Sequence, residues 1–347
     1  MKIIIVGNGK VGYAIASQLA GERHDIVMVD DSAAALNKAE NIELVGVGTQ
    51  PDKPSGRKRL PKPTPLGGFA DAVGIPCRRV ESVSSDEFMQ LMNELAPDLV
   101  VVVSFGQLLR EKLLNFPRLG CLNVHGSILP KHRGASPLAT SILSGDKVNG
   151  ISFMRMDKGL DTGPVYSVIT MDVPPAMNTQ TLEIALSELG SRNIAGIIDR
   201  IAEGLQPVPQ NEPDATSTRK IRKSDGSVHW DEPAELLERK VRAYYPWPAS
   251  TFRINGKNGL MSVKITEARV LPESGSPGTA LACDKKWIVA CGQGALELVR
   301  VIPEGSREMN AADFLRGFNN PEAVRQVFDG PPPPDPKNTP LEKKNNS

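Results

Sequence analysis

Two short stretches hold residues whose types and spacing allow chemistry: "NVHG" with Asn123 and His125, and "KGLDTG" with Asp161. Asn123 and His125 alternate, so on a strand their side chains share one face. The strand runs into "GSILPKHRG", a loop at the carboxyl end of a parallel sheet, where open α/β proteins place their ligands. Asp161 sits in a glycine-flanked loop after the next strand. An imidazole takes or gives a proton near neutral pH, and a carboxylate beside it fixes the tautomer and raises its pKa. An amide N–H can donate to an oxygen that gains negative charge. Together these form a kit for direct acyl transfer to an amine, with no protein nucleophile. The same residues also allow a plainer arrangement, in which Asn123 and Asp161 cap turns and His125 is a satisfied interior imidazole.

The elements around them fit an α/β; doubly wound, mostly parallel sheet. Residues 2–7, 26–29 and 43–47 have the Ile/Val content of short buried strands, with helices expected at about 11–21 and 32–40. "PDLVVVVSFG" (97–106) is another buried strand, preceded by an amphipathic helix around "SDEFMQLMNEL". A helix near 135–144, a strand near 150–156 and a helix near 180–203 continue the alternation. The Pro-rich stretch "GLQPVPQNEPDATS" then breaks the pattern. Beyond it come a helix in "EPAELLERKVRAY" and short strands separated by Gly, Pro and Asn, the signature of a small OB-like β-barrel domain. The expected domains are therefore 1–204, a linker 205–218, a second domain 219–325 and a disordered tail 326–347.

Length and charge set further limits. A chain of 347 residues can bury two cores. A net charge of +1 excludes a globally basic nucleic-acid binder, so any such contact rests on local clusters such as "RKIRK" (219–223). The four cysteines form no C-x-x-C pair, which points to reduced thiols in a cytoplasmic protein and to no metal. No apolar run reaches the roughly 18 residues of a membrane span, and the N-terminus lacks the pattern of a signal peptide. His24 and His132 read as exposed structural histidines, and His229 as surface packing. "YYPWP" (244–248) reads as a packing plug before a base-stacking platform.

"NVHGSILPKHRGASPLATSILSGD" followed by "GLDTG" resembles the folate-dependent formyltransferase family. "TQPDKPSGRKR" (49–59), "ATSTRKIRKSDGSVHW", "VRAYYPWPASTF" and "MNAADFLRG" resemble its branch that formylates methionyl-tRNA, in colinear order over about 43–317. The resemblance implies a catalytic trio of Asn123, His125 and Asp161. It implies 10-formyltetrahydrofolate contacts at Ser127, Ile128, Leu129 and Pro130, with the pterin held by the strand end Phe105, Gly106, Gln107 and Leu108. It also implies tRNA contacts at Arg57, Lys58 and Arg59 and at Arg219 and Lys220, in a cytoplasmic, monomeric enzyme of translation initiation. A related formyltransferase acting on an amino sugar, a formyl-folate hydrolase, or an NAD-binding regulatory module carrying an inactive transferase are the alternatives.

The first 42 residues depart from that family pattern. Gly7, Gly9 and Gly12 spell G-x-G-x-x-G between a strand and a helix, and Asp30 ends the next apolar run, as in the NAD-binding regulatory domains of potassium-uptake systems. These are half of a dinucleotide site, because the nicotinamide half needs a second βαβ unit where the family builds its folate site. NAD binding is therefore not expected, and the glycines are read as serving a tight strand–helix turn.

Overall fold

The computed structural model describes residues 1–7, 42–55, 60–83, 85–104, 108–257, 259–318 and 320–331. The helices expected at 11–21 and 32–40, the strand at 26–29, and Gly9, Gly12, His24 and Asp30 lie outside them. The chain divides into two compact units, one of 1–141, 147–174 and 181–219, the other of 142–146, 175–180 and 220–347.

In the first unit the strands are β1 (Lys2–Gly7), β2 (Glu43–Thr49), the hairpin β3 (Lys53–Ser55) and β4 (Leu60–Lys62), and, after helix α1 (Pro65–Val73), β5 (Cys77–Arg79). Helix α2 (Asp86–Leu95) leads into β6 (Leu99–Val103), and a one-turn helix α3 (Glu111–Leu114) leads into β7 (Cys121–His125). Then come β8 (Arg133–Gly134), α4 (Pro137–Ser144), β9 (Val148–Arg155), β10 (Val165–Asp172), the long α5 (Thr179–Ala202) and β11 (Ser217–Thr218). Seven strands form one sheet in the order β10-β9-β7-β6-β1-β2-β5. The five from β7 to β5 run parallel, β9 runs antiparallel to β7, and β10 runs antiparallel to β9. The sheet is thus mostly parallel, as its continuous apolar runs imply: Ile3, Ile4 and Ile5 are fully buried, as a strand covered on both faces requires.

Helix α2 shows how local sequence is matched to this sheet. Ser85 caps it by accepting from the Phe88 amide, Asp86 and Glu87 fill its first turn, and Phe88, Met89, Leu91 and Met92 form its buried stripe. That stripe packs with Ile4, Val6, Val100 and Val102 in one apolar cluster. Helix α1 starts in the same way, with the Thr64 hydroxyl accepting from the Gly67 amide and Pro65 in the first turn.

β1 lies between β2 and β6, so the strand order reverses there. Gly7 at its end is a packing requirement, since a Cβ at this position would stand 2.6 Å from the Val103 carbonyl oxygen. The strands that flank β1 end at Thr49 and Val103. Neither carries the acidic residue that a dinucleotide site places at the end of the neighbouring strand.

The second unit contains α6 (Ala234–Ala243), β12 (Ser250–Gly256), β13 (Gly259–Leu271), β14 (Ala280–Cys283), β15 (Trp287–Ala290), β16 (Ala295–Pro303), β17 (Met309–Asn310) and α7 (Ala311–Gly317). Its antiparallel strands follow the order β12-β13-β16-β15-β14, with β17 beside β16. This is a curled, open sheet resembling an OB-like half-barrel, not a closed barrel: β12 and β14 are its two edges. The core is aromatic, with Trp230 edge-on to Phe252, Phe252 edge-on to Trp287, and Trp287 stacked on Phe314.

The tail expected from 326 is corrected here. Phe328 exchanges both backbone hydrogen bonds with Arg253 of β12, while the Val327 amide donates to the Gly278 carbonyl just before β14. Residues 326–328 therefore satisfy backbone groups at both open edges, and Val327 is buried. The polar, Pro-rich composition belongs to the residues from 330 on, and composition does not record that two edges needed a partner.

Candidate active site

β7 delivers Asn123 and His125 from the middle of the sheet, both buried, at 9% and 6% exposure. Asp161 comes from the loop between β9 and β10 at φ +55°, a left-handed conformation uncommon for a residue with a side chain. The loop holds it there. A Cβ on Gly163 would stand 1.9 Å from the Arg155 carbonyl oxygen, so only glycine fits at that crossing. On the other side Asp157 accepts from the Gly159 amide at 2.9 Å and from the Thr162 hydroxyl at 2.8 Å.

The two carboxylate oxygens of Asp161 are divided. Oδ1 accepts from Asn123 Nδ2 at 3.2 Å. Oδ2 accepts from the Gly134 amide at 2.8 Å and lies 3.6 Å from His125 Nδ1. The other ring nitrogen, Nε2, is 3.1 Å from the His132 carbonyl oxygen. His125 thus has an acceptor beside each nitrogen, an environment suited to the protonated ring. Burial acts the other way and sets the direction: it lowers the His125 pKa below 6.5, against the opposing pull of Asp161 and the His132 carbonyl. One Asn123 N–H is engaged by Asp161, which leaves the second for a ligand oxygen.

The loop after β7 is held from behind. The Ser127 hydroxyl donates to the Lys131 carbonyl, and Ser152 Oγ donates to the Ser127 carbonyl and accepts from the Leu129 amide. The side chain of Ser127 is fully buried, while Ile128 and Pro130 are half-buried and Leu129 is buried before a cis peptide bond to Pro130. His132, expected at the surface, is buried at φ +58°. Its amide donates to the Thr216 hydroxyl at 2.8 Å.

That contact comes from the Pro-rich stretch 205–218, which is built into the first unit. β11 pairs with β8, and the Gln210 amide donates to the Asp161 and Gly163 carbonyls. Gln210 lies in no motif of the sequence, and Arg133 and Thr216 sit inside motifs that do not single them out. Gln210 and Thr216 reach Arg133 and His132 across 77 and 84 positions, and no local spacing relates them.

The other expected site residues are distributed as follows. Phe105, Gly106 and Gln107 lie outside the described residues, and Leu108 just beyond them is 67% exposed. Arg57, Lys58 and Arg59 are also outside, between the paired strands β3 and β4. Arg79 anchors the base of that hairpin by bonds to Asp52 at 2.9 Å and to Asp71. Arg219 and Lys220 are exposed directly after β11. His229 lies at the surface against Asp329, and in "YYPWP" Tyr244 is buried while Trp247 is 58% exposed. Cys121 and Cys291 are free and buried, with thiols pushed up to about 12 by burial.

Comparison with known proteins bears on this geometry. A family described as formyl transferase matches residues 1–198, and the formyl transferase C-terminal domain matches 220–319. The first match begins at residue 1, so the divergent segment 1–42 lies within its span. The methionyl-tRNA formyltransferase of Chloroflexus aggregans is 37% identical over 289 residues, covering 82% of this chain and 92% of the relative. Among solved structures, the N-formyltransferase from Helicobacter canadensis, in complex with folinic acid and dTDP-3-aminofucose, aligns with a TM-score of 0.58 at 13% identity, covering 86% of this chain and 99% of that one. HypX from Aquifex aeolicus, in complex with tetrahydrofolic acid, aligns with a TM-score of 0.56 at 16% identity over 91% of this chain, which spans only 47% of its length. At these identities the two structures show the shared fold.

Proposed function

Because this chain belongs to the formyltransferase family, we propose that it moves the formyl group of 10-formyltetrahydrofolate to the α-amine of methionyl-tRNA. One observation carries the chemistry: Asp161 engages the Asn123 amide with one oxygen and faces the His125 ring with the other. The tRNA acceptor is supported by the relative from Chloroflexus aggregans, matched over nearly its whole length, and by the second family segment at 220–319.

The residues suit the formyl donor because the reaction needs an N–H donor and a proton carrier, and both are buried side by side on β7. The amine nitrogen bonds to the formyl carbon, the bond from that carbon to the folate N10 breaks, and the proton lost by the amine ends on N10. The free N–H of Asn123 is the donor for the charge growing on the formyl oxygen. His125 takes the proton and passes it on, and Asp161 stabilises the imidazolium while the proton is in transit. Ser127, Ile128, Leu129 and Pro130 with the strand end Phe105–Leu108 are assigned to the folate. Arg57, Lys58, Arg59, Arg219 and Lys220 are assigned to the tRNA. The proposed setting is a cytoplasmic monomer; no described helix is long and apolar enough to cross a membrane.

The test is formylation of charged initiator tRNA by the purified chain, with 10-formyltetrahydrofolate as donor. Formyl-methionyl-tRNA is the expected product. Formylation of a nucleotide-linked amino sugar instead, or release of formate alone, would overturn the acceptor.

A further inference from the structure

The two loops that grip His125 are joined by one side chain. Asp161 faces Nδ1 from the β9–β10 loop, and the His132 carbonyl faces Nε2 from the loop after β7. Gln210 uses its whole amide between them. Nε2 donates to the Asp161 carbonyl at 2.9 Å and to the Gly163 carbonyl at 2.7 Å. Oε1 accepts from Arg133 Nε at 3.0 Å and Nη2 at 2.9 Å.

Arg133 fixes which way that amide points. It is 7% exposed and forks onto Glu212 at 2.7 and 3.0 Å. Its N–H groups are donors only, so the Gln210 oxygen must face Arg133 and the NH₂ must face the Asp161 loop. The partners of each half of the amide thus exclude the flipped orientation, which would set NH₂ against guanidinium and oxygen against two carbonyls. Asp161 is held in the left-handed region partly by its own carbonyl, through Gln210.

We infer that Gln210 is a positioning residue for formyl transfer: with Arg133 it braces the backbone of Asp161 so that the carboxylate stays against His125. This deepens the reading of the site given above and rests on it. The titratable groups facing His125 are Asp161 and His132, and Asp157, Asp161 and Glu212 act on Arg133.

The test uses Gln210→Met, which keeps the length and loses the hydrogen bonds without adding charge, and Arg133→Lys, which keeps the charge and loses the fork. In the full chain Gln210→Met should lower kcat by ~10- to 100-fold, the scale of a small misplacement at a reacting centre, with the KM for the formyl donor near wild type. The His125 ring, followed by NMR titration, should protonate at lower pH in Gln210→Met because the carboxylate is no longer held beside it. Arg133→Lys should move both readouts in the same direction by less. Melting temperatures identify any variant that has unfolded, and Arg133→Lys then carries the test. Wild-type kcat with an unchanged His125 titration in folded variants would overturn the inference. If the unaltered chain fails to formylate methionyl-tRNA, the acceptor assignment falls, and the titration still decides the role of Gln210.

Discussion

Asp161 Oδ2 lies 3.6 Å from His125 Nδ1, longer than a hydrogen bond, while the same oxygen accepts from the Gly134 amide at 2.8 Å. The carboxylate is tied to the backbone of the loop and only faces the ring. That gap suits a pair that tightens when the ring gains charge, as a proton carrier requires.

Removing either partner should therefore cost turnover. His125→Ala and Asp161→Asn are each expected to lower kcat by ~10²- to 10⁴-fold, with folate binding little changed. Steady-state kinetics with a donor-binding titration measure both. Wild-type turnover in either variant would remove these residues from the mechanism.

Stability should depend on pH through His125. Burial holds its folded pKa below 6.5, so between that value and about 6.5 the unfolded chain binds the extra proton. The stabilising contribution is complete above about 6.5 and is lost as pH falls through the lower folded value. Urea unfolding at about pH 7.5 and about pH 5.5 should show a smaller acid loss in His125→Gln than in wild type. Equal losses would place the acid sensitivity elsewhere.

Arg57, Lys58 and Arg59 follow one another in the sequence between β3 and β4, in a stretch with few apolar residues to explain them as folding residues. Arg57→Ala should raise the KM for charged tRNA, a loss of about 1–3 kcal/mol in transition-state binding, and leave the donor KM unchanged. Lys58→Ala should act more weakly and mainly flatten the salt dependence. Kinetics at two ionic strengths with both substrates varied separate these effects. A changed donor KM with an unchanged tRNA KM would take the loop away from the RNA.

The N-terminal glycines should divide by position. Gly7→Ala places a Cβ 2.6 Å from the Val103 carbonyl oxygen and should destabilise the fold by about 1–3 kcal/mol in denaturant titrations. Gly9→Ala and Asp30→Ala should leave formylation unchanged. Micromolar NAD binding abolished by Asp30→Ala would restore the dinucleotide reading.

The sequence by itself determined the alternation of strands and helices, because burial on both faces leaves continuous apolar runs such as Ile3–Val6 and Leu99–Val103, and the stripe of α2 leaves a helical period. It also marked Asn123, His125 and Asp161, because a two-residue alternation and a glycine-flanked carboxylate are local patterns. The tertiary structure decided what holds them. Gln210 and Thr216 reach Arg133 and His132 across some eighty residues, and the stretch that brings Gln210 and Thr216 has the Pro-rich, polar composition of a linker. Edge closure by 326–328 was hidden for the same reason: backbone hydrogen bonds use atoms that every residue has, so neither composition nor periodicity records where they go.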